Sequence, residues 1–411
     1  MACVVNWWYD GVAKDRKHDN IKSISAERWK EIQKKFPHVP ICKDMTWARR
    51  EALVRLPRFA EDWLVENLLE DPRDVIMVST LMNLFVFITF AVVSLFVYPS
   101  HILGAVLMFV NVFFFIERFI LMLHYAAHRR LFKKEHTVLN KIMPYVVAPF
   151  FGIPIAMYET HHLVMHHTEN NLFPGDLSST EPYRRDSFRH WLCYVAKYWQ
   201  CITQLPLYAW RKGRMDRFLE IAVGEPLWIL TMVYLWKYGY GLQSFWLMLL
   251  PTLIASMAMM FGNFSQHILI DPRISSYAVT PGNKASYKYN CALAINVINT
   301  HENLYSFNDG YHINHHVNSR LHWTELPWHF YENIEKFAEH DPMVFEGLSF
   351  MDVGIHIMAG MHRKLFQHYV HLTPEKISFE EFMTKLDDRV QPIDQTQRKL
   401  KGAVDTKVGQ K

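Results

Sequence analysis

The chain has 411 residues, of which 50% are hydrophobic, 15% aromatic and 20% charged. That composition supports a sizeable core and excludes a disordered, collagenous or low-complexity protein. Lys and Arg number 44 against 40 Asp and Glu, a net +4 that is too mild to indicate a nucleic-acid partner. The five cysteines, Cys3, Cys42, Cys193, Cys201 and Cys291, are scattered and never spaced as Cys-x-x-Cys. A disulfide scaffold or cysteine zinc site is not expected. Histidine is the outlying count, at 23.

In chain order, residues 1–74 read as a helical, amphipathic N-terminal region. They lack the charge and apolar order of a signal peptide, and Ala2 excludes N-myristoylation. Between Ser25 and Leu69, an apolar stripe of Phe59, Trp63, Leu64 and Leu68 suits either a bilayer surface or the rest of the protein. Val75 to Tyr98 then runs 24 residues without a charge. A helix of that length is about 36 Å long, more than the roughly 30 Å hydrocarbon layer. After Pro99-Ser100, a second run covers 101–123 and is interrupted only by Glu117-Arg118. Tyr145 to Tyr158 is apolar but too short to span, and it contains Pro149, Gly152 and Pro154; it reads as an interfacial segment. A second span pair follows at 218–236 and 242–264, joined by a short turn that holds Lys237. The main domain extends over 75–390, and 391–411 is a polar tail expected to be disordered.

Charge placement sets the topology. Of the 44 Lys and Arg, 42 fall in residues 1–74, 124–217 and beyond 270, on one side of two hairpins. The positive-inside bias places that side in the cytoplasm or its equivalent. The expected fold is therefore an all-α integral membrane protein, with four transmembrane helices in two hairpins under a helical cytoplasmic cap.

Three histidine clusters lie on that side: His124 with His128; His161, His162, His166 and His167; and His312, His315 and His316. Residues at i, i+3 and i+4 share a helix face, so each cluster can aim two or three imidazoles into one volume. Imidazole suits Fe, Cu, Ni and Zn and fits Mg or Ca poorly. At least eight clustered rings exceed the four ligands of one zinc and suit two transition-metal ions. Carboxylate di-iron bundles need two Glu-x-x-His pairs, and the clusters supply one, Glu159 with His162.

These parts and their order resemble the membrane fatty acid desaturase family, over about Val75 to Pro327. Its HxxxH, HxxHH or HxxxHH, and HxxHH boxes are filled by His124/His128, His162/His166/His167 and His312/His315/His316. The context Ser306-Phe-Asn-Asp-Gly-Tyr-His is similar to that of the third box, and Asn263-Phe-Ser-Gln-His267 resembles the element that adds a ninth histidine and a water-bridging Asn. The resemblance implies two Fe(II) ions held by nine histidines, with Asn263 reaching the metal through water. His161 duplicates the start of the second box, and His301 is an extra histidine; both are candidates for an outer role. Metal-bound histidines usually donate their other ring nitrogen to an acceptor. Asp309 stands three residues before His312 and Glu159 three before His162, each a candidate partner. Glu117, a charge inside a span, is a candidate for the wall of a substrate passage.

The activity implied is O2-dependent desaturation of a fatty acyl chain carried on CoA, a carrier protein or a lipid ester. No haem, dinucleotide or iron–sulfur motif is present in the sequence, so electrons are expected from a separate cytochrome b5 or ferredoxin. The endoplasmic reticulum membrane is the expected location in a eukaryote. A hydroxylase of the same architecture is the closest alternative. A polytopic metal transporter would want ligands in mid-span, and a non-catalytic subunit would show broken boxes.

Overall fold

A computed structural model describes residues 22–46, 49–277 and 286–394. Helix α1 (Ala26–Lys35) starts where the Ser25 hydroxyl accepts from the Arg28 N–H, and it carries Glu27 in its first turn and Lys34 and Lys35 in its last. Those charges complement the helix dipole. Helix α2 (Arg58–Asn67) follows Pro57. The expected helical stretch from Ser25 to Leu69 is thus two helices around an irregular segment, because Pro37, Pro40 and Pro57 remove backbone donors. Phe59 and Trp63 face outward, at 78% and 55% exposure.

The protein is mostly helical, and four helices are long and apolar enough to cross a membrane. The first span includes α3 (Val75–Val97), and the second is α4 (His101–His128), opened by the Ser100 cap and containing a π-turn at Asn111–Phe115. In the cap, α5 (Phe188–Tyr198) and α6 (Cys201–Arg211) lead to the third span, α7 (Met215–Lys237), and the fourth, α8 (Gly241–Gln266). The second and fourth helices continue past the apolar runs read from the sequence. Hydropathy falls where the chain leaves the hydrocarbon, but the backbone ladder carries on into the cap.

Val86, Phe90 and Val93 of α3, Phe109 and Phe113 of α4, and Val223, Leu227 and Leu230 of α7 are all exposed. An apolar surface of that extent is suited to lipid. Tyr98, Trp236, Tyr238 and Tyr240 cluster at the hairpin tips, as aromatic residues do at a bilayer boundary. The hairpins meet where Gly104 admits the Trp246 indole; a Cβ there would lie 2.4 Å from the ring. Gln243 Nε2 donates to the Leu95 carbonyl at 3.0 Å across the same contact.

The all-α expectation holds, with one small sheet in the helical cap: β1 (Ile295–Ile298) and β2 (Met343–Glu346) pair in parallel, Ile295 opposite Met343. Four-residue strands are too short to show periodicity. In the 145–158 segment, Val147, Ala148, Phe151 and Ile153 are buried against the protein, while Val146 faces out. Gly152 turns this segment at φ 75°, packed on the backbone of Thr252 and Pro251 in α8. Finally, the start of the expected tail is packed. Arg185 donates to the Gln391 carbonyl at 2.6 Å, and Ile393 is 5% exposed. The rest of that tail, 395–411, lies outside the described residues.

A Cβ on Gly152 would sit 2.4 Å from Thr252 Cα at a φ that L-residues resist. Gly152→Ala should therefore destabilise the protein by about 2–4 kcal/mol. The thermal midpoint in detergent should fall accordingly; an unchanged midpoint would refute this packing.

Candidate metal centre

Four segments converge at the cap end of the spans. The last turns of α4 bring His124 and His128, four residues apart on one face. His162, His166 and His167 come from a helical stretch whose centre, Thr160–His166, is a π-helix. In an α-helix, residues five apart point about 140° away from each other. Here the His167 N–H bonds to the His162 carbonyl, and this wider turn brings the two side chains together, with Nε2 atoms 3.1 Å apart. His166 projects elsewhere. The sharing of one α-helical face expected for the second box therefore does not hold.

The third box lies on α9 (His312–Val317). His312 and His316 approach to 3.1 Å between Nε2 atoms, while His315 reaches His124 at 2.8 Å and His167 at 3.1 Å. The loop before α9 is held by the N-terminal region. Asp44 accepts from the Tyr311 hydroxyl at 2.7 Å and from Asn303 Nδ2 at 3.1 Å, and Arg49 donates to Asn308 Oδ1 at 3.1 Å. His267 follows the end of α8 and meets His312 at 3.2 Å between Nε2 atoms.

The structure thus gathers all nine histidines. His124, His128, His162, His167 and His315 form one group, and His166, His267 and His316 a second, with ligand atoms in each within 4.8 Å of one another. His312 borders the second group through His267 and His316. The His167 and His316 rings stack at 5.0 Å, so the two groups adjoin.

Protonation decides what these groups can hold. His124 Nδ1 lies 3.0 Å from Asp309 Oδ1, His166 Nδ1 lies 2.6 Å from Asp176 Oδ2, and His267 Nδ1 lies 3.1 Å from the Leu293 carbonyl. A neutral ring that donates through Nδ1 has a bare lone pair at Nε2. Burial, then neighbouring rings, keeps His162, His167, His312, His315 and His316 far below the ordinary imidazole range, and burial takes His267 down to about 3. Those six rings favour the neutral form, and Nε2 nitrogens of the two groups converge at 2.8–3.2 Å. Imidazole nitrogens bind transition metals at about 2.1 Å, so adjacent ligands stand about 3 Å apart. Donor type, charge state and spacing all fit metal ions in the two groups.

The supporting residues differ from those read in the sequence. Asp309 faces His124, not His312, and its second oxygen accepts from Gln266 Nε2 at 2.5 Å. Glu159 does not meet His162; it pairs with Arg217 at 2.8 Å, with Lys141 at 3.8 Å. An arginine 58 residues away claims it, which no local spacing could reveal. Asp176 was missed. It follows His166 by ten residues, and the loop that returns it is organised by Ser178, whose hydroxyl donates to Asp176 Oδ1 at 2.7 Å. Burial would raise the Asp176 carboxyl, but His166 and these hydrogen bonds outweigh it and hold it at about 2. Asn263 lies outside both groups and spends its Nδ2 on the Ser178 carbonyl at 3.1 Å and the Tyr194 hydroxyl at 2.6 Å. His301 is exposed and outside both groups, and His161 is buried beside His162 but outside them.

A cavity of about 540 Å³ opens beside the histidines. Ile116, Ile120, Met157, Leu253, Met259 and Phe350 give it a mainly apolar lining, and His124, His162 and His312 stand in its wall. Trp199, Ile202 and Leu253 line it and are also exposed, which places its mouth between α5, α6 and the fourth span. Glu117 lines it too, and Glu302 nearby is raised well above the usual carboxylate range by burial and by Glu117.

A family profile described as fatty acid desaturase matches residues 99–347, more than half of the chain. The chain belongs to the fatty acid desaturase family, and so to membrane oxidoreductases of the desaturase and hydroxylase type that act on fatty acyl chains with O2. No curated protein and no solved structure gives a match.

If Asp176 and Asp309 orient ligands, Asp176→Asn and Asp309→Asn should each weaken metal retention or activity about 10–100-fold. Glu159→Gln, which removes only a salt bridge at the edge of the cap, should change either by less than about threefold. Metal content after graded chelation checks all three; equal losses would contradict the assignment.

Proposed function

We propose that the protein is a di-iron, O2-dependent fatty acyl desaturase. The observation that carries this reading is the adjoining pair of histidine groups at the wall of an apolar cavity. His124, His128, His162, His167 and His315 would hold one iron, and His166, His267, His312 and His316 the other, with Asn263 near the second through water. Bound there, the irons would supply the oxidising power, drawn from O2 and two external electrons, that removes hydrogens from two adjacent methylenes.

The chain's own part is positioning and exclusion. The cavity takes the acyl chain out of water and lays a methylene against the histidine wall, with Ile116, Ile120 and Met259 along its length. Asp309 and Asp176 keep the Nδ1 protons of His124 and His166 in place, so that both rings present Nε2. Gln266 fixes Asp309 in turn. The electron donor is a separate cytochrome b5 or ferredoxin, and the substrate is an acyl chain on CoA, a carrier protein or a lipid. The histidine-bearing face lies on the cytoplasmic side, in the endoplasmic reticulum of a eukaryote, as the placement of Lys and Arg supports.

Two experiments test this reading. Expression in a host lacking the corresponding activity should yield a new monounsaturated acyl chain by mass spectrometry, and His162→Ala or His315→Ala should abolish it. Chelated protein should recover with Fe(II) and not with Zn(II). A hydroxylated product would move the enzyme to the hydroxylase branch, and activity in both alanine variants would sink the metal reading. For sidedness, tags near Asp176 and Asp309 should be reached from the same membrane face; opposite faces would overturn the topology.

A further inference from the structure

One wall of the cavity carries polar groups that the metal site does not use. His161 is 9% exposed, lines the cavity, and its Nε2 has no hydrogen-bond partner among the described residues. Its ring meets Tyr198 edge-on at 5.3 Å, and Tyr158, three residues earlier, stacks on His162 at 5.4 Å. Tyr158 and Tyr198 add two hydroxyls to the same lining. Trp228 lines it from the third span, and its buried Nε1–H has no acceptor among the described residues. One turn earlier Glu225 is 4% exposed, and its Oε1 has no partner among the described residues. Gly224 allows this: a Cβ there would stand 2.8 Å from the Ile155 carbonyl, so α7 packs tightly against the segment leading to Tyr158.

A plain hydrocarbon chain would leave His161 Nε2 and Trp228 Nε1 unpaired and would dehydrate the two tyrosine hydroxyls, which is costly. The set contains donors (Trp228 Nε1, the tyrosine hydroxyls) and acceptors (an imidazole nitrogen, which a ring flip can turn toward the cavity, and the same hydroxyls). A hydroxyl group both donates and accepts and matches that mixture; a carbonyl only accepts. We propose that the Tyr158, His161, Tyr198 and Trp228 wall is a subsite for a hydroxyl substituent on the lipid chain, within a few carbons of the oxidised position. The inference rests on the reading of the cavity as an acyl-binding site. The hydroxyl belongs either to a hydroxylated substrate or to a hydroxylated product.

The test is equilibrium binding of octadecanoic acid and its monohydroxy isomers to the purified full chain in detergent. At least one isomer should bind roughly tenfold tighter than octadecanoic acid, the effect of one net hydrogen bond. His161→Phe and Tyr198→Phe should erase that preference while still binding octadecanoic acid, and His161→Gln should keep part of it. Turnover with O2 and reductant then separates the two sources. Further oxidation of the preferred isomer marks a substrate, and its formation from octadecanoic acid marks a product. Equal binding of all probes, as expected if the wall holds only water, overturns the subsite and leaves the acyl cavity standing. So does a preference that survives His161→Phe, or loss of metal in that variant, which would make His161 a ligand. Failure of every probe to bind removes the acyl cavity, and the subsite with it.

Discussion

Nine imidazoles converge at the cap end of the spans, where burial drives rings such as His162, His315 and His316 far toward the neutral form. Burial removes the water that would solvate an imidazolium, and each ring further disfavours charge on its neighbours. The Nδ1 protons of His124, His166 and His267 are directed to Asp309, Asp176 and the Leu293 carbonyl, so their Nε2 lone pairs point inward. Crowded lone pairs in a dry site repel unless a cation lies among them. The rest of the architecture answers this constraint: rings must be brought together from distant parts of the chain and kept there.

Rigid elements meet that demand. The second and fourth spans extend beyond the hydrocarbon and deliver His124, His128 and His267 at their ends. A π-turn aligns His162 with His167 and frees His166 for the other group. The Asp44 and Arg49 contacts tie the N-terminal region to the loop ahead of His312, so a segment distant in sequence braces the third box. The apolar cavity then adjoins the histidine wall, with His124, His162 and His312 in its lining.

Much of this could be read from the sequence. Uncharged runs located the spans, because the bilayer requires length and apolarity in one segment. The His-x-x-x-His and His-x-x-His-His spacings located the clusters, because helical periodicity is local. What escaped depends on tertiary return. Asp176 reaches His166 through a folded loop, Gln266 reaches Asp309 across 43 residues, and Arg217 draws Glu159 away from His162. The π-register of the second box also escaped, since one inserted residue per turn leaves no hydropathy mark. The β1–β2 pair is hidden for the same reason as most buried four-residue strands: every position in β1, Asn296 included, is buried, and no alternation remains.

The central claim is that the histidines converge because they hold a pair of irons. Metal counting per chain combined with X-ray absorption at the iron edge, on protein purified without added metal, tests it most directly. The account predicts two irons per chain with first shells dominated by imidazole nitrogen. A single metal per chain, or zinc in place of iron after iron-replete expression, would contradict it.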